Sequence, residues 1–166
     1  DGAGITIQIP HRFLVSKGIS LPDPGEYGTG IIFFPSDKEE RKVIEQWFYR
    51  IAEEENLTIS VFRDVPVNSS VLGEIARRSE PVIRQVFITG DYEQDEMERK
   101  LYIFRKRIEN EVRNSGLRQS SYFYVNSLST RTLVYKGLFT PVQLRDYYPD
   151  LSDPAMESAI ALIHSR

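Results

Sequence analysis

The residue best suited to binding chemistry is the last one, Arg166, which ends the apolar run SAIALIHSR. We predict that this run forms a buried strand over about 159–164. An arginine at the end of a strand holds its planar guanidinium group at a fixed point, and this group can grip a carboxylate through two parallel hydrogen bonds. The spacing alone is weak evidence, because a terminal arginine in water would leave the same pattern.

The other reactive side chains form no recognisable catalytic set. His11 and His164 are the only histidines, too few for a polyhistidine metal site, and a structural role is the more typical one for each. The absence of cysteine excludes disulfides, thiolate metal sites and a cysteine nucleophile supplied by this chain. Asp64 and Asp150 could pair as acid and base, but the sequence gives no means of bringing them together. We therefore predict neither a catalytic residue nor a metal site.

Two short motifs resemble ligand-binding sequences but favour structural roles. GEYGTG has glycines at a spacing seen in phosphate loops, yet it precedes a strand and does not open a helix, so its amides would not gather at a helix N-terminus. RKLYIFRKR mixes basic and aromatic residues, but its aromatics are predicted on the packed side of a helix and acidic residues surround it. A solvated helix face explains this segment better than nucleic-acid binding.

Composition and charge narrow the class of protein. The chain has 166 residues, of which 40% are hydrophobic, and a formal net charge of -3. These values indicate one globular domain without a broad positive field, so we expect no nucleic-acid partner and no attraction to acidic lipid. No apolar run approaches the roughly 20 residues of a membrane helix. We therefore expect no membrane association and a cytoplasmic location.

The periodicity of apolar residues predicts the elements that must position any site. Alternating isoleucines predict a strand at 5–9. Ser36 and Glu39 predict a capping box at the start of one helix, and a longer helix is predicted over about 92–114. Further strands are predicted at GTGIIFFP, LTISVFRDVPV, VIRQVFITG, SYFYVNSLS and RTLVYKGLF, and short helices at SSVLGEIARRSEP and TPVQLRDYY.

The order of these elements predicts an α+β fold. From residue 30 to 128 the order is strand, helix, strand, strand, helix, strand, which is the split βαβ (ferredoxin-like) unit with two helices on one face of a four-stranded sheet. The strands at 5–9, 133–139 and 159–164 have no partners in that unit. We predict that they belong to a second sheet whose other strands lie outside this chain, which would leave exposed sheet edges.

Several segments together resemble a known family. DGAGITIQIPHRF, FRDVPV, ERKLYIFRK, SLSTRTLVYKGLF and SAIALIHSR, in this order and at these separations, resemble the N-terminal class II glutamine amidotransferase domain of the glutamate synthase large subunit. The resemblance runs along nearly the whole chain. It implies the N-terminal-nucleophile hydrolase fold, a sandwich of two antiparallel sheets between helix layers. Residues 1–166 would be part of this domain, with the split βαβ unit at about 28–128 as an insertion.

The resemblance also implies roles for residues near both ends. Arg166 matches the arginine of the family's HSRFST motif, which is expected to hold the α-carboxylate of bound glutamine. Asp1 and Gly2 would lie near the active-site loop. His164 and Ser165 match the same motif as Arg166 and are expected to act as scaffold at the strand end.

The implied reaction needs groups that this sequence does not contain. In such enzymes an N-terminal cysteine attacks the side-chain amide of glutamine and releases ammonia, which is used to make glutamate from 2-oxoglutarate. That cysteine is expected before Asp1, and oxyanion-hole amides are expected in an HNGEIN-like motif after Arg166, so we expect these residues alone to be inactive. The expected partners are glutamine and the remainder of the large subunit. FMN and an iron–sulfur cluster are expected elsewhere in the parent enzyme, with no cofactor in this chain.

Two other functions remain open from the sequence. The chain could be a free-standing, non-catalytic ferredoxin-like module that binds a small ligand or forms a homo-oligomer through its exposed sheet edges. It could also serve only to pack other parts of a synthase subunit. The electron donor of the parent enzyme, a ferredoxin or a nicotinamide cofactor, is not determined by these residues.

Overall fold

The computed structural model describes residues 2–165. Within this range the chain forms two antiparallel sheets and five α-helices, joined by turns and three short 3-10 segments. The elements in chain order are β1 (Ala3–Gln8), α1 (His11–Ser16), β2 (Tyr27–Phe34), α2 (Lys38–Glu54), β3 (Thr58–Asp64), α3 (Glu74–Arg78), β4 (Val82–Thr89), α4 (Gln94–Asn114), β5 (Tyr124–Val125), β6 (Thr132–Gly137), α5 (Pro141–Tyr147) and β7 (Ala161–Ser165).

The larger sheet has four antiparallel strands in the order β3-β4-β2-β5. This order, with α2 and α4 as the long connections, is that of the split βαβ unit, so the predicted arrangement is confirmed. Both helices lie on one face of this sheet because their apolar residues recur at helical spacing and pack on alternate strand residues. The shared core includes Ile32, Phe34, Ile44, Phe48, Val86, Ile88, Leu101 and Phe104.

The smaller sheet has three antiparallel strands in the order β6-β1-β7. Ile5 of the central strand pairs with Tyr135 on one side and with Ile163 on the other. The three strands that the split βαβ unit leaves over therefore do form a second sheet, as the sequence predicts.

The two sheets pack face to face. Ile31 and Ile83 of the four-stranded sheet share one buried cluster with Ile7, Leu133 and Tyr135 of the three-stranded sheet. The layers are therefore a helix pair, a four-stranded sheet and a three-stranded sheet, and the α+β class with sandwiched antiparallel sheets is confirmed. That the split βαβ unit is an insertion at about 28–128 stays a prediction.

The start of α2 differs from the prediction. Asp37, not Ser36, is the N-cap, and its Oδ1 accepts hydrogen bonds from the amides of Glu39 at 2.9 Å and Glu40 at 3.0 Å. The Ser36 hydroxyl instead donates to the Gln119 side-chain oxygen, which also accepts from the Asp37 amide at 3.0 Å. A contact from a distant part of the chain thus decides between two adjacent capping residues.

Helix α1 was not predicted. Its six residues follow Pro10 and are too few for a clear helical period, yet Phe13 and Leu14 are fully buried against Tyr27 and Phe87. Burial of these two side chains, not intrinsic propensity, accounts for a helix this short.

The strand predicted at SYFYVNSLS is mostly irregular. Only Tyr124 and Val125 pair with β2, opposite Phe33 and Ile32. After Val125 the regular pairing with β2 ends, and one isolated bridge joins Ser129 to Thr29 of β2. The segment follows β2 closely without forming a regular strand.

The prediction for β7 is half right. The strand exists, but its burial was wrongly predicted, because all five of its residues are exposed. Leu162 and Ile163, which point to opposite faces, retain 68% and 70% of their accessible surface. The strand pairs only with β1, and no described residue buries either of its faces.

Candidate functional site

Of the three predicted site residues, only Gly2 lies in the described part of the chain. Asp1 and Arg166 lie outside the described residues. Gly2 is described and leads directly into β1. The first residue of that strand, Ala3, pairs with Ser165 of β7. Ala3 and Ser165 are close in the sequence to Asp1 and Arg166, at which the sequence predicts its site. The strand register therefore pairs the described residues nearest to the two ends of the chain.

Gly4 makes this pairing possible. A Cβ atom at Gly4 would lie 2.5 Å from His164 Cε1 and 2.8 Å from Lys136 Cβ, both inside van der Waals contact. The two flanking strands thus place a ring and an alkyl chain over the bare backbone of β1. The His164 ring lies beside Gly4, and its expected role as scaffold at the strand end stays a prediction.

A cavity of about 580 Å³ opens at the same end of the sheet, between the two sheets and the segment around α3. Gly2, Ala3, Gly137 and His164 line one side. The walls are largely apolar and include Phe33, Leu72, Ile83, Phe139 and Tyr148. Its size and lining are those of a small-molecule pocket.

Glu80 is the acidic group in this cavity. Its Oε1 accepts hydrogen bonds from the Ser69 hydroxyl at 2.8 Å and from the Tyr147 hydroxyl at 2.7 Å. Burial raises the pKa of Tyr147 well above its usual range, and the hydrogen bond to Glu80 raises it further. Tyr147 therefore stays protonated and acts as a permanent donor to this carboxylate.

Lys136 also lines the cavity. Its Nζ donates to the Tyr124 hydroxyl at 3.0 Å and lies 4.1 Å from the centre of the Tyr124 ring. This geometry is that of a cation–π contact together with a hydrogen bond. Neither Glu80 nor Lys136 was singled out from the sequence, because nothing local marks two residues so far apart in the chain as neighbours.

A second polar group lies between the sheets and is structural. Arg63 donates to both oxygens of Asp150, at 2.8 and 2.7 Å, and the Tyr135 hydroxyl donates to the same carboxylate at 3.0 Å. Burial, then the negative charge of Asp150, raises the pKa of Tyr135 well above its usual value. Asp64 is exposed and instead pairs with Arg84 at 2.9 Å. The structure therefore does not bring Asp64 and Asp150 together as an acid–base pair.

The remaining histidine also has a structural partner. His11 Nδ1 lies 3.0 Å from the Tyr27 hydroxyl, and burial raises the pKa of Tyr27 to about 12. Residues 2–165 contain no group of three or more histidine, aspartate or glutamate side chains that could hold a metal ion. Within the same range, no helix has the length and apolar character needed to cross a membrane.

The two weak motifs have structural explanations. Gly30, in the GEYGTG region, packs so closely that a Cβ atom there would overlap the carbonyl oxygen of Ser127. In RKLYIFRKR, Phe104 is buried as predicted, but Tyr102 is 62% exposed, so the prediction that the aromatics lie on the packed side is wrong for that residue. Arg105 and Arg107 form ion pairs with glutamates of α4 and α2. A solvated face of paired charges accounts for this segment.

Comparison with known proteins identifies the family. The family described as class-II glutamine amidotransferases matches residues 1–166. The glutamate synthase (NADPH) large chain of Bacillus subtilis is 43% identical over the whole of this chain, which covers 11% of that protein. The ferredoxin-dependent glutamate synthase 2 of Synechocystis is 36% identical, and the glutamate synthase (NADH) of Saccharomyces cerevisiae is 35% identical, again over the whole chain and over 11% and 8% of those proteins.

The chain thus spans about a tenth of the length of these curated relatives. Their similarity extends through both sheets and both ends, and does not favour a separate ferredoxin-like binding module. The motifs, the sandwiched sheets and the full-length match agree, and the chain belongs to the class-II glutamine amidotransferases.

Proposed function

We propose that this chain is part of the glutaminase region of a glutamate synthase large chain, where the side-chain amide of glutamine is hydrolysed to release ammonia for the synthesis of glutamate from 2-oxoglutarate. The observation that carries the proposal is the similarity of the whole chain to glutamate synthases, at 43% identity for the Bacillus subtilis protein. The names of the relatives differ in electron donor, so the proposal leaves the donor open.

The proposed role of these residues is to hold glutamine, not to cleave it. Arg166 would bind the α-carboxylate of glutamine through a bidentate hydrogen-bonded pair. Asp1 and Gly2 would form part of the loop beside it. The pairing of Ala3 with Ser165 supports this assignment, because it joins the start of β1, which follows Asp1 and Gly2, to the end of β7, which precedes Arg166. The contact of the His164 ring with Gly4 of β1 would hold the end of β7 in place.

The nucleophile must come from another part of the enzyme. The 166 residues contain no cysteine, so no thiolate of this chain can attack the amide carbon. Losing a nucleophile costs an enzyme orders of magnitude in rate even when substrate binding is intact. We therefore expect residues 1–166 alone to release no ammonia from glutamine above a heat-inactivated control.

The residues present do not fit an iron–sulfur cluster. The sequence has no cysteine to ligate iron, and the described residues hold no cluster of metal-ligating side chains. FMN and the iron–sulfur cluster of the proposed parent enzyme would be held by other parts of it. No step of the glutaminase reaction at this site passes through them.

The remainder of the large chain is the proposed partner. The open edge of β7 and its exposed Leu162 and Ile163 would be covered there by further elements of the same polypeptide. Association of two copies of this chain through the same edge is the competing possibility.

A glutamate synthase of this kind would work in the cytoplasm.

Substitution of Arg166 tests the proposal in the complete large chain. Arg166→Ala is expected to raise the KM for glutamine by about tenfold or more, because a bidentate charged hydrogen bond contributes about 1.5–3 kcal/mol, while use of free ammonia as nitrogen donor stays unchanged. Arg99→Ala is the matched control, since Arg99 is exposed on α4 and forms no ion pair with a described residue. An unchanged KM in Arg166→Ala would contradict the assigned role.

A further inference from the structure

Gly4 is enclosed by the two strands that flank β1. The register of the three-stranded sheet pairs Gly4 with Lys136 of β6 and with His164 of β7. A Cβ atom at Gly4 would lie 2.8 Å from Lys136 Cβ and 2.5 Å from His164 Cε1. Carbon atoms normally meet at roughly 3.5–4.0 Å, so both contacts would be too short. The His164 ring therefore occupies space that a side chain at position 4 would need.

The two flanking strands differ in how firmly they are held. In β6, Leu133 and Tyr135 are fully buried, and the Lys136 carbonyl accepts a hydrogen bond from the Tyr148 hydroxyl at 2.9 Å. In β7 all five residues are exposed, and among the described strands it pairs with β1 alone. Moving β6 would disturb a packed core, whereas moving β7 would not. An atom added at position 4 would therefore displace the end of β7.

We infer that Gly4 is a positioning residue for glutamine binding, because its lack of a side chain leaves room for the His164 ring at the end of β7. This inference rests on the proposed function, and it gives Gly4 no contact with glutamine. The strand ends at Ser165, one residue before the arginine proposed to bind the α-carboxylate. A bidentate pair needs the guanidinium plane aligned with the carboxylate, so a displaced strand end weakens it.

Steady-state kinetics of the complete large chain test this role. Gly4→Ala should raise the KM for glutamine about tenfold, the effect of losing one charged hydrogen bond. The kcat with glutamine and the use of free ammonia as nitrogen donor should stay unchanged, because the substitution removes binding and not chemistry. A merely structural role would reduce the amount of active enzyme and leave the KM alone. Gly73→Ala is the matched control, since a Cβ atom at Gly73 meets nothing within 4 Å.

A double-mutant cycle with His164→Ala tests the contact itself. His164→Ala removes the ring without adding an atom to β1, so the test stays decisive if Gly4→Ala unfolds the protein. We expect His164→Ala to raise the KM for glutamine as well. In the His164→Ala background, Gly4→Ala should change the KM by less than about twofold, because the ring that it displaces is absent.

Hydrogen exchange of the complete large chain provides a readout that does not involve glutamine. Amides of β7 should exchange faster in Gly4→Ala than in the wild type, while those of β6 stay unchanged. Equal exchange at β7, or independent effects of the two substitutions on the KM, would overturn the inference.

Comparison with Arg166→Ala separates this inference from the proposed function. A raised KM in Arg166→Ala with an unchanged KM in Gly4→Ala would overturn the inference and leave the proposed function intact. An unchanged KM in Arg166→Ala would contradict the proposed role of that arginine and overturn the inference with it.

Discussion

Replacing Asp150 by asparagine removes the negative charge from the ion pair between the two sheets. The side chains of Arg63 and Asp150 are only 12% and 3% exposed, so water screens this pair little. Asparagine keeps the shape and can still accept from the Tyr135 hydroxyl, but it leaves the Arg63 guanidinium group buried without a counter-charge. Breaking a buried pair in this way costs about 3–5 kcal/mol. A typical domain is stable by about 5–15 kcal/mol, so the loss would be a large share of the total.

Urea unfolding measures this loss directly. With a slope near 2–3 kcal/mol per molar urea, the midpoint of Asp150→Asn should fall by about 1–2 M while the slope stays unchanged. Asp146→Asn makes the same chemical change at an exposed position of α5 and should leave the midpoint within about 0.2 M. The double variant Arg63→Met with Asp150→Asn should recover part of the loss, because it leaves no buried charge. A midpoint for Asp150→Asn equal to that of Asp146→Asn would refute the reasoning.

Two further substitutions probe the segment between β5 and β6. Gly30→Ala should destabilise the fold by about 3 kcal/mol, because its Cβ would overlap the Ser127 carbonyl. The control is Gly73→Ala, which should be near neutral because a Cβ at Gly73 meets nothing within 4 Å. Equal thermal unfolding midpoints of the two variants would contradict this packing. Glu98→Gln should speed amide exchange at Thr130 about tenfold, since Glu98 Oε1 accepts from the Thr130 amide at 2.6 Å and hydroxyl at 2.5 Å. Unchanged exchange there, with the α2 amides as an internal reference, would rule out this anchoring role.

The long helices could be predicted from the sequence because their signal is local and repeated. In α4 five apolar residues recur at helical spacing, and all five are buried: Met97, Leu101, Phe104, Ile108 and Val112. Each recurrence of the period adds independent evidence, so the stripe is clear without any knowledge of the strands beneath it. The order of helices and strands then limits the sheet to few topologies, of which the split βαβ unit is one.

The candidate cavity could not be predicted, because its charged groups come from different layers. Glu80 follows α3 and Lys136 belongs to β6, and each is an ordinary polar residue in its own segment. They share a cavity only after the two sheets have packed and β5 has ended early beside β2. No periodicity along the chain reports such a meeting.

Composition misled the prediction of burial at β7 for a related reason. An apolar run predicts a surface that avoids water, but it does not identify what covers that surface. In residues 2–165 the strand has one neighbour, β1, and its side chains remain exposed on both faces. The sequence thus predicted the element correctly and its environment wrongly.

What holds β7 in place is therefore polar. Two ion pairs attach the segment that leads into the strand to α1 and the residue after it. Lys17, directly after α1, pairs with Asp153 at 2.7 Å, and Arg12 of α1 pairs with Glu157 at 3.0 Å. The side-chain oxygen of Gln8, at the end of β1, accepts a hydrogen bond from the backbone amide of Ala159 at 3.0 Å. These contacts lie at the end of β7 opposite the predicted glutamine site. A strand paired on one side has little core packing of its own, and exposed ion pairs contribute little. The ladder with β1 is therefore the main interaction that holds the end of β7 beside Ala3.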